Sequence, residues 1–205
     1  MVRVRSGVGS GMSGMSGMAG AGGLSLKVRD EFTDTNGTLL GSHTIAPTNV
    51  PSTSWGGIQG GADIQSNQAN ATSTQTRFIC NPGAADGEVR CDVIAQAADG
   101  RHGVVVRAQD ASNFWFVGFQ SSANTFYIEE RNAGTFTVRA SVGKTINGGQ
   151  TYAVRAVLSG SNIAGTIDGG SDISYGSATF LQSQTAHGLV INAIGAKNDN
   201  FEFWA

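Results

Sequence analysis

Short segments in which apolar and polar residues alternate follow one another along the chain from Leu24 to the C-terminus. In one of them Tyr152, Val154, Ala156 and Leu158 occupy every second position, as on a strand with one buried face. No segment after residue 24 has a convincing helical period with caps. The alternation predicts one all-β domain over residues 26–205, folded as a two-sheet antiparallel jelly-roll sandwich. Turn-forming groups separate the predicted strands, at Thr35–Gly37, Ala98–Gly100, Asn132–Gly134, Asn147–Gly149 and Ser159–Asn162.

Residues 1–25 differ from the rest of the chain because they are rich in Gly, Met and Ser, and the low-complexity stretch over residues 6–23 shows no alternation. Glycine's backbone entropy opposes independent folding of such a segment. Two interpretations remain open: a flexible linker or tail, or an anchoring arm that orders on a partner as its methionines fill irregular grooves. The candidate partner-binding residues come from a three-residue repeat and are Gly11, Met12, Gly14, Met15, Gly17 and Met18.

The run Phe114–Phe119 is apolar at every position except for a glycine, so both faces of a strand here would be apolar. A central strand whose outer face is also covered has this pattern. A loop, the N-terminal arm or a partner would supply the cover. The alternative is an ordinary core strand with one exposed Trp.

Charged residues make up only 14% of the sequence, and the formal net charge is −2. This balance lacks the basic patch of nucleic-acid-binding proteins, and no apolar run approaches the roughly 20 residues that span a bilayer. We therefore expect neither a nucleic-acid nor a membrane partner. The basic segment Met1–Arg5 precedes Gly and Ser rather than the apolar stretch of a secretory signal. A polar chain without such a signal is expected to be made in a host cytoplasm and to leave in a virus particle.

The two cysteines, Cys80 and Cys91, flank a turn-rich stretch over residues 81–87. A hairpin centred in that stretch places the cysteines opposite each other and also aligns Phe78 with Val93, so that the apolar faces agree. Cross-strand neighbours lie near disulfide reach, whereas a reducing compartment favours two buried thiols. The sequence thus predicts neighbouring antiparallel strands and leaves the disulfide open.

Motifs for catalysis are missing from the sequence, which has no Gly-x-Ser-x-Gly elbow. Glu129 and Glu130 are adjacent on a predicted strand and point to opposite faces, so they cannot act as an acid–base pair. His43, His102 and His187 show no metal-ligand spacing and are expected at the surface or in turns. We therefore predict that the protein is not an enzyme and needs no catalytic cofactor.

Several segments together match one family pattern: Asp30–Phe32 with Asn36–Gly41, then Gly103–Asp110, Asn113–Phe119, Tyr152–Arg155, Ile163–Gly169 and Asn198–Phe203. This combination resembles concanavalin A-like lectin/glucanase sandwiches of the laminin-G type. The resemblance implies a jelly-roll fold, and such domains occur in bacterial secreted proteins and in phage virion proteins. The Glu-x-Asp-x-x-Glu motif of the family's glucanases is missing here, so hydrolase activity does not carry over.

The resemblance also implies candidate binding residues. Lectins of this family use exposed aromatic side chains, for which Trp55, Trp115 and Tyr175 are candidates, together with Trp204. Each of these residues is equally suited to a core position.

A structural calcium is a further implication of the resemblance. The family's topology pairs the terminal strands and would bring Asp30 near Asp199, where some related sandwiches hold that ion. The alternative is that Asp199 bonds backbone amides in its own turn.

Two functions remain open from the sequence. The first is a non-enzymatic virion structural protein, a capsid or tail decoration that displays a lectin-like sandwich on the virion surface. Its partners would be a major capsid or tail protein, neighbouring copies in an oligomer or lattice, and a host glycan. The alternative is a carbohydrate-binding module or lectin that recognises cell-surface glycans, secreted or at the cell surface.

Overall fold

The structure, a computed structural model, describes residues 23–45, 54–96 and 100–205. Within these ranges the backbone forms fifteen β-strands and one short 3-10 turn at Leu40–Ser42. None of the described segments is a helix long and apolar enough to cross a membrane. The strands pair antiparallel in two sheets, which confirms the predicted all-β sandwich.

Sheet I contains eight strands: β1 (Leu26–Asp30), β3 (Ala62–Ile64), β4 (Ala69–Ala71), β6 (Gly87–Ile94), β11 (Thr151–Ser159), β12 (Asn162–Ile167), β13 (Gly170–Tyr175) and β15 (Lys197–Trp204). Their order is β13-β12-β11-β6-β15-β4-β3, and β1 pairs with the second half of β15. Leu26 lies opposite Trp204 and Asp30 opposite Phe201, so the two ends of the sandwich domain meet in one sheet.

Sheet II contains seven strands: β2 (Gly56–Gln59), β5 (Thr76–Cys80), β7 (Arg101–Asp110), β8 (Asn113–Gln120), β9 (Thr125–Asn132), β10 (Thr135–Gly143) and β14 (Ala186–Ile191). Their order is β10-β9-β8-β7-β14-β5-β2. Consecutive hairpins build the half from β7 to β10, and β14 returns from the far end of the sequence to pair with both β7 and β5.

The core lies between the two sheets and follows from the alternation in the sequence. On β11 the side chains of Tyr152, Val154, Ala156 and Leu158 are buried, whereas the residues between them are exposed or half-buried. Sheet II contributes the facing layer, which includes the fully buried Trp115. The predicted inward and outward faces of β11 are therefore confirmed.

Strand β8 is buried on both faces, as the apolar run predicts. Its six central residues, Phe114–Phe119, are all buried. Trp115, Val117 and Phe119 belong to the core between the sheets, while Phe114 and Phe116 belong to a second cluster on the other side of sheet II.

The predicted cysteine hairpin is wrong. Cys80 ends β5 in sheet II and Cys91 lies on β6 in sheet I, so the intervening residues 81–86 cross between the sheets. Both residues are buried free thiols, and burial raises the pKa of each. The apolar residues of β5 and β6 do point toward each other, as the hairpin required. They do so because the two strands face the same core from opposite sheets. Packed sheets lie about 10 Å apart, a gap that residues 81–86 span easily.

The prediction that the histidines are surface or turn residues is also wrong, since His43, His102 and His187 are all buried. The ring of His187 stacks on Phe203 with 4.6 Å between centroids. Its Nε2 lies 3.0 Å from the carbonyl oxygen of Ala84, and its Nδ1 lies 3.3 Å from the backbone N–H of Arg107. A neutral ring that donates from Nε2 and accepts at Nδ1 satisfies both contacts.

Arg107 closes the same end of the sandwich. Its side chain is fully buried and its backbone has a φ of 49°, where the register between β7 and its neighbours shifts. The guanidinium donates to the carboxylate of Asp86 at 2.8 Å and to the carbonyl oxygen of Gly160 at 2.6 Å. A third bond goes to the carbonyl oxygen of Ala178. One cation therefore ties together three loops that join different strands.

We predict that His187 makes the fold sensitive to acid. Burial lowers its pKa from 6.5 to about 4. The unfolded chain therefore binds a proton between those values that the folded chain does not, and stability falls as the pH drops through this window. The slope reaches about 1.4 kcal/mol per pH unit.

Urea unfolding of the wild type and of His187→Gln between pH 7 and pH 4 measures this contribution. The other titrating groups are shared by both proteins and cancel in the comparison. We expect a shallower pH dependence in the variant, and parallel curves would contradict the prediction.

Candidate functional site

One row of outward-facing residues crosses five strands of sheet I. Arg29 on β1 lies opposite Glu202 on β15, Glu202 opposite Arg90 on β6, Arg90 opposite Arg155 on β11, and Arg155 opposite Thr166 on β12. Residues opposite each other in a ladder point to the same side of the sheet. We call this side of sheet I the polar face; it comprises the row and the outward-facing Glu88, Asp92, Asp172, Asn200 and Trp204.

Glu88 is the centre of the ion pairs on the polar face. The Nε and Nη2 groups of Arg155 donate to its two carboxylate oxygens, both at 2.6 Å, and the Nε of Arg90 donates to Oε1. The Glu88 side chain is only 6% exposed, whereas Arg155 and Arg90 are 46% and 50% exposed. A bidentate pair fixes both planes, so Glu88 holds two arginines in defined positions at the surface.

The electrostatics of this cluster keep Glu88 ionised. Burial alone would raise the pKa of its carboxyl, but the hydrogen bonds and charges of Arg155 and Arg90 outweigh burial and lower the pKa. The hydrogen bond to Glu88 in turn raises the pKa of Arg155. A general acid needs the opposite shift, with a pKa raised toward the working pH.

Trp204 lies beside the arginines near the end of β15 and is half-buried. The guanidinium carbon of Arg90 lies 5.4 Å from the centre of the indole ring. The indole Nε1 donates to the carboxylate of Glu202 at 2.9 Å. Two contacts therefore hold the ring in place while part of it stays open to solvent.

A groove of about 460 Å³ runs across the polar face, lined by residues from β6, β11, β12, β13 and β15. Polar pairs mark both of its ends. The Nδ2 of Asn200 donates to the carboxylate of Asp92, and the Oγ1 of Thr166 donates to the carboxylate of Asp172, each at 2.8 Å. The groove thus offers fixed hydrogen-bond donors and acceptors on a flat, open surface.

Of the predicted glycan contacts, Trp55 and Trp115 do not reach the surface. Trp55 is 2% exposed and its Nε1 donates to Asp30, while Trp115 is 1% exposed and its Nε1 donates to the carbonyl oxygen of Phe180. Both rings fill the core, so their predicted role as ligand contacts is wrong. Tyr175 is half-buried, and its ring lies 5.7 Å from that of Trp115.

The carboxylate oxygens of Asp30 accept hydrogen bonds from N–H donors of the protein and are not open to a cation. It is buried and accepts hydrogen bonds from the backbone N–H of Phe32 and from Trp55, both at 2.7 Å, and it contacts His43 Nε2 at 3.0 Å. The other ring nitrogen of His43 bonds Asp34. Burial alone would lower the pKa of His43, but these two carboxylates raise it.

The structure does not bring Asp30 and Asp199 into one site. Asp30 lies opposite Phe201 and faces the core, while Asp199 lies opposite Asp92 on the outer side of sheet I. Asn200, with a positive φ of 49°, interrupts the alternation of β15, so that Asp199 faces outward while Phe201, two residues later, faces the core. Within the described ranges no group of three or more His, Cys, Asp or Glu side chains is placed to hold a metal ion. The predicted shared calcium site is therefore wrong in its geometry.

The candidate partner-binding residues of the arm, including Met12, Met15 and Met18, lie outside the residues that the structure describes. The polar face itself was not predicted as a site. Its sequence signal is the segment Glu88-x-Arg90-x-Asp92, in which the three outward positions are charged and the two positions between them are apolar.

Comparison with known sequences finds no matching family model and no matching curated protein. Comparison with solved structures finds 63 matching chains. The chain is similar to the carbohydrate-binding module CBM66 from Bacillus subtilis, with a TM-score of 0.55 and 14% identity over 73% of this chain and 91% of that one.

Two further neighbours support the same fold. Domain 4 of AbnA, an extracellular GH43 arabinanase from Geobacillus stearothermophilus solved with arabinotriose, has a TM-score of 0.61 and 9% identity over 89% of this chain and 93% of that domain. A Bacillus subtilis protein of unknown function with a galectin-like fold has a TM-score of 0.54 and 12% identity over 73% and 88%. At these identities the likeness shows a lectin-like sandwich fold.

We predict that Glu88→Gln destabilises the protein by roughly 1–2 kcal/mol at pH 7, because it weakens the charge-assisted bonds to both arginines. The folded pKa of Glu88 is lowered, so this contribution is present above the unfolded value of 4.5 and is lost as the pH falls below it. The difference in stability between the wild type and the variant, measured in urea melts, should shrink as the pH is lowered below 4.5.

Glu31→Gln is the matched control, since Glu31 is 53% exposed and pairs only with the exposed Arg29 among the contacts described. We expect it to change stability by a few tenths of a kcal/mol. Equal losses in the two variants would contradict the central role of Glu88.

Proposed function

We propose that this chain is a lectin-like carbohydrate-binding domain that binds saccharides on the polar face without cleaving them. The observation that carries the proposal is the cluster in which Glu88 orients Arg90 and Arg155 beside the half-buried Trp204. It combines preset polar contacts in an open groove with an aromatic side chain that contacts two residues of its lining, Arg90 and Glu202.

The arginines supply directional donors for sugar hydroxyls. A guanidinium has five N–H donors in a fixed fork, and Glu88 accepts two from Arg155 and one from Arg90. The remaining N–H groups are held at the surface at little further entropy cost, because the ion pairs already fix the side chains. Asp92 and Asp172 add acceptors along the same groove.

Trp204 supplies the apolar contact. One face of a sugar ring is lined by C–H groups, and an aromatic ring beside polar groups suits a ligand that is apolar on one side and polar at its edges. The groove volume of about 460 Å³ falls within the range typical of small-ligand sites.

The structural neighbours support this proposal over a virion role. One is a carbohydrate-binding module, and another was solved with a bound arabinotriose. The capsid or tail location, the virion partners and the host setting stay predictions from the sequence.

Binding without catalysis is favoured by the chemistry of the polar face. Glycosidases pair a protonated general acid with a second carboxylate. Burial would raise the pKa of Glu88, but Arg155 and Arg90 outweigh that effect and lower the pKa. The carboxylate therefore stays charged. We therefore assign Glu88 an orienting role.

A glycan array probed with the full chain tests the proposal, followed by titration calorimetry with the best ligand. We expect Arg155→Gln and Trp204→Ala each to weaken binding about 10-fold or more, equivalent to about 1.4 kcal/mol. Arg139→Gln is the matched control, because Arg139 also makes two bonds to a carboxylate, that of Glu130, but lies on sheet II. The absence of any bound glycan, or equal losses in all three variants, would overturn the proposal.

A further inference from the structure

The outer side of sheet II carries a second apolar layer, which we call the aromatic face. Its buried members are Val105, Ala108, Phe114, Phe116 and Val190, and the half-buried Ile79, Tyr127, Phe136 and Ala186 pack against them. All nine residues lie on strands of sheet II itself. No described residue of another segment belongs to this cluster.

This face is nevertheless buried. Val105, Phe114 and Phe116 are each 0% exposed, although they point away from the core between the sheets. An aromatic side chain on the outside of a sheet reaches that state only under another layer of protein. The apolar cluster supplies no such layer, and Arg77, whose guanidinium lies over Phe114, is itself only 1% exposed, so the cover must come from further residues.

Two arginines on this face show what the cover must provide. Arg77 is only 1% exposed, and its Nε and Nη1 atoms are buried without a hydrogen-bond partner, as are those of Arg131. Both guanidinium groups lie over the ring of Phe114, at 5.2 and 5.6 Å from its centre. Burial, followed by repulsion from Arg131 and Arg101, lowers the pKa of Arg77 to about 10.

The neighbouring carboxylates are already engaged. Glu129 accepts two hydrogen bonds from Arg101, and Asp110 accepts from the backbone N–H of Ser112 and from Asn113. A buried donor without an acceptor costs about 1–3 kcal/mol. The covering segment must therefore bring oxygen acceptors to Arg77 and Arg131.

The N-terminal arm joins the described domain at the end of the sandwich where residues 81–86 connect the two sheets. Ser25 forms a backbone ladder pair with Ala205, next to Trp204 and the start of β6. At this end residues 81–86 connect β5 of sheet II to β6 of sheet I. The 22 residues before Gly23 reach about 70 Å when extended. The path that they must cover, from sheet I to sheet II and then across that sheet, is the roughly 10 Å between sheets plus five strand spacings of about 4.8 Å, which is much shorter.

The arm's composition fits the aromatic face. Residues 1–22 contain no Asp or Glu, so their acceptors are backbone carbonyls and serine hydroxyls. Glycine allows the backbone to approach a flat surface closely. Met12, Met15 and Met18 provide sulfur atoms, which make favourable contacts with aromatic rings.

We propose that the N-terminal arm of the same chain, residues 1–22, lies across the aromatic face, with its carbonyl oxygens accepting from Arg77 and Arg131 and its methionines packed on Phe114 and Phe116. The arm is then the outer layer of its own domain. This inference does not depend on the proposed carbohydrate site, which lies on the other sheet.

Photo-methionine gives a direct test, because all four methionines of the chain, Met1, Met12, Met15 and Met18, lie in the arm. Irradiation of the full chain carrying this analogue should cross-link the arm to peptides from β7, β8 and β14. A mixture of nitrogen-14 and nitrogen-15 protein separates links within a chain from links between chains. Links to sheet I, or links only between chains, would overturn the proposal.

A second measurement uses variants that leave the sandwich sequence unchanged. The triple variant M12K/M15K/M18K places cations against Arg77, Arg101 and Arg131 and should displace the arm. We expect stronger binding of the dye ANS and a fall in Tm of roughly 5 °C. The matched control M12L/M15L/M18L keeps apolar side chains and should behave as the wild type. A lysine variant with wild-type dye binding and Tm would contradict the inference.

Discussion

The apolar layer shared by the two sheets is the constraint on which the rest of the molecule depends. Each strand places alternate residues in this layer, such as Val154 from sheet I and Trp115 from sheet II. Because a strand has only two faces, the positions between them are left for other chemistry. The core therefore decides where a binding surface can lie as well as how the domain is stabilised.

The outward positions of the two sheets have been filled in opposite ways. On sheet I they are charged, and Glu88, Arg90 and Arg155 satisfy one another at the water boundary. On sheet II many of them are aromatic or aliphatic, and Phe114 and Phe116 are buried together with Arg77. A charged surface can stay open to a ligand, whereas an apolar surface of this kind is stable only when it is covered. The same architecture thus separates a recognition surface from a surface that needs a partner segment.

Much of the candidate site was within reach of the sequence, but its assembly was not. The alternation Glu88-x-Arg90-x-Asp92 identifies an outward charged row on β6. Nothing local indicates that Arg155, more than sixty residues later, pairs with Glu88. The indole rings show the same limit, because Trp55 and Trp115 are indistinguishable from a surface aromatic until their neighbours are known, and both proved to be core. The predicted position of the cysteines was wrong because two strands that face each other across the core show the same pattern of inward apolar residues as two strands paired in a hairpin. Cys80 and Cys91 both point into the core, but from different sheets.

The sequence by itself determined the strands, their inward and outward faces and the all-β class, because a period of two is a local property of the backbone. It also indicated that β8 is apolar on both sides. Only the tertiary structure decided that β6 lies between β11 and β15, that Cys80 and Cys91 belong to different sheets, and that Trp204 meets Arg90. The physical reason is that alternation fixes the face on which a side chain lies, whereas its neighbours are fixed by how distant strands share one core.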